Sequence, residues 1–256
     1  MDFEVKKQKS MQSIIAYLLI FNVAVIFIAG FVKSFCKSSN VSLLDQNNYN
    51  TASSAINFIV YVIAFAVLIY INYKDLFVDF KTFSSDKTNI GSKILGGYGI
   101  FYVINIICSL LVTNIEALAN TGYGMLGIHN FIETTADNQT SIEAILKSDG
   151  MWMMILSAGF LGPVCEELVF RKAFFSLFKD KEMGLIVSSL FFALIHITSS
   201  FGHFNTISIL LMTMPYIFSG VALGYIYIKN DCNIMVPTIV HILSNLISMF
   251  GIIFLL

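Results

Sequence analysis

Residues 151–178 read MWMMILSAGFLGPVCEELVFRKAFFSLF. A helix needs about 20 predominantly apolar residues, at 1.5 Å each, to cross the hydrocarbon of a bilayer, and this run is long enough to do so. Yet its interior carries Glu166, Glu167 and Arg171. A charge at bilayer depth costs about 2.5–3.5 kcal/mol on insertion scales, so such groups persist where mutual pairing or function holds them. On a helix Glu167 and Arg171 lie four apart and share a face, whereas Glu166 is turned about 100° away. One carboxylate can be paired while the other stays available.

The rest of the chain is of the same kind. Of its 256 residues 57% are hydrophobic and only 12% charged, against about 25% charged in soluble domains. Its mean hydropathy is +0.79, and its solvent is mostly lipid. About seven windows are long enough to span: Met11–Val32, Ala55–Tyr73, Ile94–Thr113, Met151–Phe178, the short Met183–Thr198, Thr206–Ile228 and Ile234–Leu256. Backbone groups in lipid must pair internally, and continuous apolar runs favour helices over the alternation of a barrel. The expected fold class is all-α, a polytopic transmembrane helix bundle of about seven to eight spans. Residues 1–150 would hold the N-terminal spans and an external loop, and 151–256 a helical core that carries Glu166, Glu167 and Arg171.

A net charge of −1 gives no field to attract nucleic acid. Cys36, Cys108, Cys165 and Cys232 show no CxxC spacing, which argues against a disulfide framework or zinc knuckle. The apolar run after Lys6, Lys7 and Lys9 is too long for a signal-peptide core and reads as a retained first span. Threading seven spans from a cytoplasmic N-terminus places 12 of the 15 basic residues inside. Lys33, Lys37 and Lys147 fall outside, and the 114–150 connection sets five acidic residues against that last lysine. The positive-inside rule selects this orientation, in the cell membrane.

Two further polar sites lie in apolar windows: Phe192-Ala193-Leu194-Ile195-His196, and His241 four residues before Asn245. If the fourth and fifth spans form a hairpin turning near Lys181, Glu166 and His196 both lie roughly 22 Å from the turn, at one level. His241, counted from Ile234, would be shallower, roughly 10–15 Å in. Pro163 and Pro237 precede Glu166 and His241 by three and four residues; each removes a backbone donor and frees a carbonyl close to these side chains. His129 and His203 are expected in solvated loops. Ser219, Gly220 and Gly224 form a small-residue face suited to close helix packing, and the many Phe and Tyr residues suit lipid-facing surface.

The ordered set Glu166-Glu167-x-x-x-Arg171, Phe192-x-x-x-His196 and His241-x-x-x-Asn245 resembles the three motifs of the CAAX protease and bacteriocin-processing (CPBP, or Abi) family of intramembrane endopeptidases. The resemblance covers roughly residues 151–250. It implies hydrolysis of a peptide bond by a water that Glu166 activates as general base and His196 orients. His241 and the Asn245 amide would face the oxyanion, and Glu167 with Arg171 would clamp the site from behind. Some members carry Asn four residues after the first motif histidine; here that position is Ser200.

No cofactor is expected, although Glu166, His196 and His241 also compose a zinc ligand set. The expected partners are the lipid bilayer and a peptide or membrane-protein substrate. A basic complement of 14 Lys to 1 Arg, with abundant Ile and Asn, suits an A/T-rich bacterial genome, which favours a bacterial peptide over a prenylated one. The alternatives are a non-catalytic scaffold or bacteriocin-immunity protein of the same fold and, less favoured, a proton-coupled transporter. Transporters commonly show two related halves, whereas the polar residues here crowd into one.

The charge asymmetry makes a direct prediction. In a chain cleared of its native cysteines, a cysteine placed at Asp137 should react with a membrane-impermeant maleimide on intact cells. Reaction only after permeabilisation would invert the topology.

Overall fold

The structure is a computed structural model, and it describes residues 3–87, 89–125 and 132–255. His129 lies outside the described residues. There are eight helices and no strand among the described residues. We number them α1 (Glu4–Ser38), α2 (Gln46–Ser85), α3 (Ile90–Met125), α4 (Asp137–Leu146), α5 (Met151–Phe174), α6 (Lys181–Ile197, continued by the 3₁₀ turn Thr198–Ser200), α7 (Thr206–Lys229) and α8 (Met235–Leu255). Seven are long and apolar enough to cross a bilayer, in agreement with the seven windows. The chain is therefore a multi-pass, all-α membrane protein. The eighth helix, α4, has ten residues, about half of what a span needs.

The helices are longer than the apolar windows because polar caps continue them past the lipid. Asp45 opens α2 by accepting from Asn48 N at 2.9 Å, and Asp180 and Asn205 cap α6 and α7 in the same way. With 40 residues α2 is about 60 Å long, twice the hydrocarbon thickness. In the turn after it, hydrogen bonds from Lys93 and Asn89 hold the exposed Asp86 below the usual carboxylate range.

The central element is α5. Two thirds of its most apolar window (67%) is buried within the protein, against at most 39% for any other span. Helices α1 and α2 pack on one side of it, where Tyr17, Val60, Ala64 and Leu68 meet Leu168 and Phe170. Helix α6 packs on the other, with Phe192 edge-on to Phe170 at 5.4 Å. The charged stretch that decides the fold is thus the most protein-enclosed helix in the bundle.

Polar ties distinguish the two ends. At one, Lys9 pairs with Asp75 at 2.7 Å, Lys172 with Asp79, and Asn233 donates to the Asp79 carbonyl. At the other, Ser54 donates to Gly150 O at 2.7 Å, Asn47 to Asp149, and Ser200 Oγ accepts from Asp137 N at 3.1 Å. The second set anchors α4 and its flanks across the end opposite the lysine-rich turns. His203, fully at the surface, pairs there with Asp137 at 2.9 Å, consistent with a solvated position. All four cysteines are free.

The small-residue face of α7 packs as its sequence implies. A Cβ at Gly220 would lie 3.0 Å from Ser189 Cα of α6, and one at Gly224 would lie 2.4 Å from Leu185 Cδ1. The two helices therefore approach to backbone contact. Gly220→Ala must push them apart, and overpacking of this kind costs about 1–3 kcal/mol. Purified Gly220→Ala should melt at a clearly lower temperature than the parent, whereas Gly96→Ala, which meets nothing within 4 Å, should melt with it.

Candidate active site

Glu166 and Glu167 sit where α5 leaves α-helical geometry. The segments Ile155–Leu161 and Glu167–Phe174 are π-helical, and a single α-turn, Gly162–Glu166, separates them. In the first segment Gly162 N donates five residues back, to Ser157 O. The next bond in that register would run from residue 163 to Ala158 O, but Pro163 has no N–H to give. Asn245 Nδ2 donates to that carbonyl instead, at 2.9 Å. The proline signal is therefore real at Pro163, and the freed carbonyl is paired by the side chain of α8. Pro237 differs: it lies in the first turn of α8, where its N–H would lack a helical partner in any case. The expectation that it frees a carbonyl near His241 fails for that reason.

Behind the site runs a buried ionic chain. Glu167 and Arg171 are fully buried, and Arg171 Nε lies 3.3 Å from Glu167 Oε2. The contact is ionic rather than an aligned hydrogen bond: Glu167 Oε2, Arg171 Nε and Arg171 Nη1 have no hydrogen-bond partner among the described residues. Arg171 Nη2 donates to Gly220 O at 3.3 Å, and the guanidinium stands 4.9 Å above the Phe192 ring. The other oxygen of Glu167, Oε1, is 2.9 Å from His241 Nδ1.

In front, two histidines converge on one oxygen. His241 Nε2 lies 3.7 Å from Glu166 Oε2, and His196 Nε2 lies 3.9 Å from the same atom. His196 Nδ1 is 2.7 Å from the Phe192 carbonyl, which can only accept, so Nδ1 carries a proton. His241 Nδ1 likewise donates to the Glu167 carboxylate. Both rings, held by Nδ1, thus turn Nε2 toward Glu166. Tyr216 stacks on His196, centroids 4.6 Å apart, and fixes the ring plane.

Glu166 and His196 meet, as the hairpin arithmetic requires. His241 meets them too, although its helix start suggested a shallower level. The reason is that α8 begins inside the bundle: Ile234 and Val236 at its start are both 1% exposed. Ser200 is fully buried but serves the backbone of Asp137 and belongs to the anchor of α4.

Two participants were not legible in the motifs. Tyr61 of α2 joins Glu166 in the cavity lining, and Asn138 of α4 joins Tyr216 there. The Tyr61 ring packs beside Gly162, where a Cβ would lie 3.4 Å from it. Both residues come from the first 150, where the sequence offers a uniform apolar run and a polar connection. Glu166, His196, His241, Tyr61, Asn138 and Asn245 all line one cavity of about 640 Å³.

Residues 148–247 match the family model described as type II CAAX prenyl endopeptidase Rce1-like. This region is therefore similar to that family, in keeping with the resemblance of its three motifs. An uncharacterized protein of Mycoplasma capricolum subsp. capricolum is 28% identical over 215 residues, which cover 81% of this chain and 59% of that protein. The UPF0177 protein YxdF of Lactococcus lactis subsp. lactis is 25% identical over 147 residues, 57% of this chain and 73% of its own length. A second UPF0177 protein of the same organism, YajF, is 32% identical over 60 residues, 23% of this chain and 30% of its own length. The chain spans about six tenths of the Mycoplasma relative. No solved structure matches it significantly.

Removing one partner of a buried ion pair leaves the other charge uncompensated, at a cost of about 3–5 kcal/mol. Arg171→Met should accordingly lower the melting temperature far more than Lys93→Met, whose partner Asp86 is solvated. Equal shifts in the two variants would show that the buried pair does not hold the bundle.

Proposed function

We propose that the chain is an intramembrane endopeptidase that hydrolyses a peptide bond with a water activated by Glu166. The observation that carries this reading is the convergence of Glu166 Oε2 with Nε2 of His196 and of His241, at 3.9 and 3.7 Å, on the wall of a cavity among membrane-spanning helices. A water between these groups could donate one proton to Glu166 and exchange a second hydrogen bond with an imidazole Nε2. Glu166 takes one proton from it as the hydroxide adds to the peptide carbonyl carbon. The tetrahedral intermediate then collapses with cleavage of the C–N bond, and Glu166 returns the proton to the departing amine.

The remaining groups position and stabilise. Glu167 and Arg171 hold His241 by Nδ1, so its Nε2 faces the reacting water. Tyr61, on the same cavity wall as Glu166, would limit the room the carboxylate has to turn. One N–H of Asn245 is committed to Ala158 O, so its contribution to an oxyanion would come from the second N–H of the same amide. The chain's substrate would be a bacterial peptide or membrane protein.

A second reading keeps the residues and adds a metal. Glu166, His196 and His241 form a zinc ligand set, and a carboxylate and a carbonyl on the two Nδ1 atoms are the partners that metal-bound imidazoles have. Glu166 would then be a ligand, and Glu167 would have to act as base. Its carboxylate is already engaged by Arg171 and His241, so the metal-free mechanism is the better fit. In a third reading the same cavity holds a peptide without cutting it, as a scaffold or immunity protein would.

Peptidomics of cells carrying the native chain or Glu166→Gln separates these. The expected result is a cleavage product that disappears in the variant although the protein still accumulates in the membrane. Identical products would leave the non-catalytic reading in place. Tyr61→Phe, which removes a hydroxyl from the cavity wall that carries Glu166, should keep the activity but slow it about tenfold, a barrier change of roughly 1.4 kcal/mol. Activity of the purified enzyme should survive exhaustive chelation; loss with recovery on added zinc would make Glu166 a ligand.

A further inference from the structure

At one end of the bundle the cavity is closed by helix packing, and beyond that closure it opens sideways. At the lysine-rich end α3 touches α7 and α8: a Cβ on Gly97 would lie 3.2 Å from Val240 and 3.3 Å from Val236. Leu223, Ile226, Val236 and Val240, all essentially unexposed, complete an apolar seal with Phe101 packed on it. One to two turns farther from that end, Tyr102 of α3 and Ile247 of α8 both line the cavity, yet they keep 57% and 55% of their surface exposed. Helices α3 and α8 therefore part above the seal. The cleft between them leads sideways to lipid, with Asn138 and Gln139 of α4 at its far end.

Depth agrees with this. His196 stands 15 residues along α6 from Lys181, roughly 22 Å from the lysine-rich turn, and so about 8 Å from the opposite face of a 30 Å hydrocarbon layer. With the lysine-rich turns in the cytoplasm, the reacting groups lie at the level of the outer leaflet.

The lining states what fits. Among the described residues it contains no lysine, arginine or aspartate, and Glu166 is the one acidic residue. Asn57, Thr135, Asn138, Gln139, Ser244 and Ser248 give it a set of uncharged donors and acceptors. A transmembrane helix satisfies its own backbone, but a scissile bond must be unwound to be attacked, and its freed N–H and C=O groups then need partners in a medium without water. Neutral amides and hydroxyls supply those partners, whereas a charged side chain would be desolvated there without a counter-ion.

Resting on the endopeptidase reading, we propose that the substrate is a membrane-inserted peptide that enters between α3 and α8 from the outer leaflet and presents an unwound, uncharged segment to Glu166. The cytoplasmic seal excludes a substrate arriving from the lysine-rich side.

The test does not depend on hydrolysis, so its failure is distinguishable from failure of the protease reading. In a chain cleared of native cysteines, Ser248→Cys should react with an impermeant maleimide on intact cells, and Lys87→Cys only after permeabilisation. Reaction of Ser248→Cys only from the cytoplasmic side, or from neither side, would overturn the proposed opening. In nanodiscs, a synthetic transmembrane helix with an Asn-Ser segment near its outer end should slow Ser248→Cys labelling at least fivefold. The same helix with two lysines in that segment should not. Equal protection by both would overturn the requirement for an uncharged segment, and protection by neither would overturn the occupant.

Discussion

The bundle is organised around one buried carboxylate. Glu167 faces Arg171 through one oxygen and His241 through the other, and all three side chains are buried. An ion pair placed in lipid would be ruinous, so α5 can exist as a span only if other helices enclose it. Enclosure is what the structure shows: α1, α2, α6, α7 and α8 surround α5, and the guanidinium takes its last contacts from Phe192 and the Gly220 carbonyl. The closeness of α6 and α7 at Gly220 serves the same end, since it brings that carbonyl within reach. Packing and electrostatics here are one constraint.

The local geometry of α5 follows from sequence in a less direct way. Two π segments flank the single α-turn that carries Glu166. π-Helical insertions leave backbone groups displaced from the usual ladder and occur often at functional sites. In this chain Pro163 fixes where the ladder breaks, and Asn245 repairs the break from another helix. The last motif residue is thereby tied to the first motif's helix by a hydrogen bond to backbone. That bond holds α8 in register, and with it His241 opposite Glu166.

The cavity combines two kinds of wall. Its reactive side comes from α5, α6 and α8, in the region with the Rce1-like match. The opposite side comes from α2, α3 and α4, outside that region. Both halves of the chain thus wall one cavity, in which Tyr61 of α2 accompanies Glu166 of α5.

Much was legible without the structure. Apolar run length gave the seven spans, because the bilayer thickness imposes it. The i,i+4 spacing gave the Glu167 and Arg171 pair, and the arithmetic of an antiparallel hairpin gave the shared level of Glu166 and His196, because both follow from fixed rise per residue. Three features were decided only by tertiary structure. Where α8 begins depends on the burial of Ile234 and Val236, so the depth of His241 could not be counted from its own helix. Whether a proline frees a carbonyl depends on its place in the helix, and this separates Pro163 from Pro237. The meeting of Tyr61 with Glu166 and of Asn138 with Tyr216 in one cavity, and the diversion of Ser200 to the backbone of Asp137, bring together residues at least 63 positions apart. No local pattern encodes such contacts, because a hydroxyl or an amide in an apolar run looks the same whether it faces lipid, a neighbouring helix or a catalytic carboxylate.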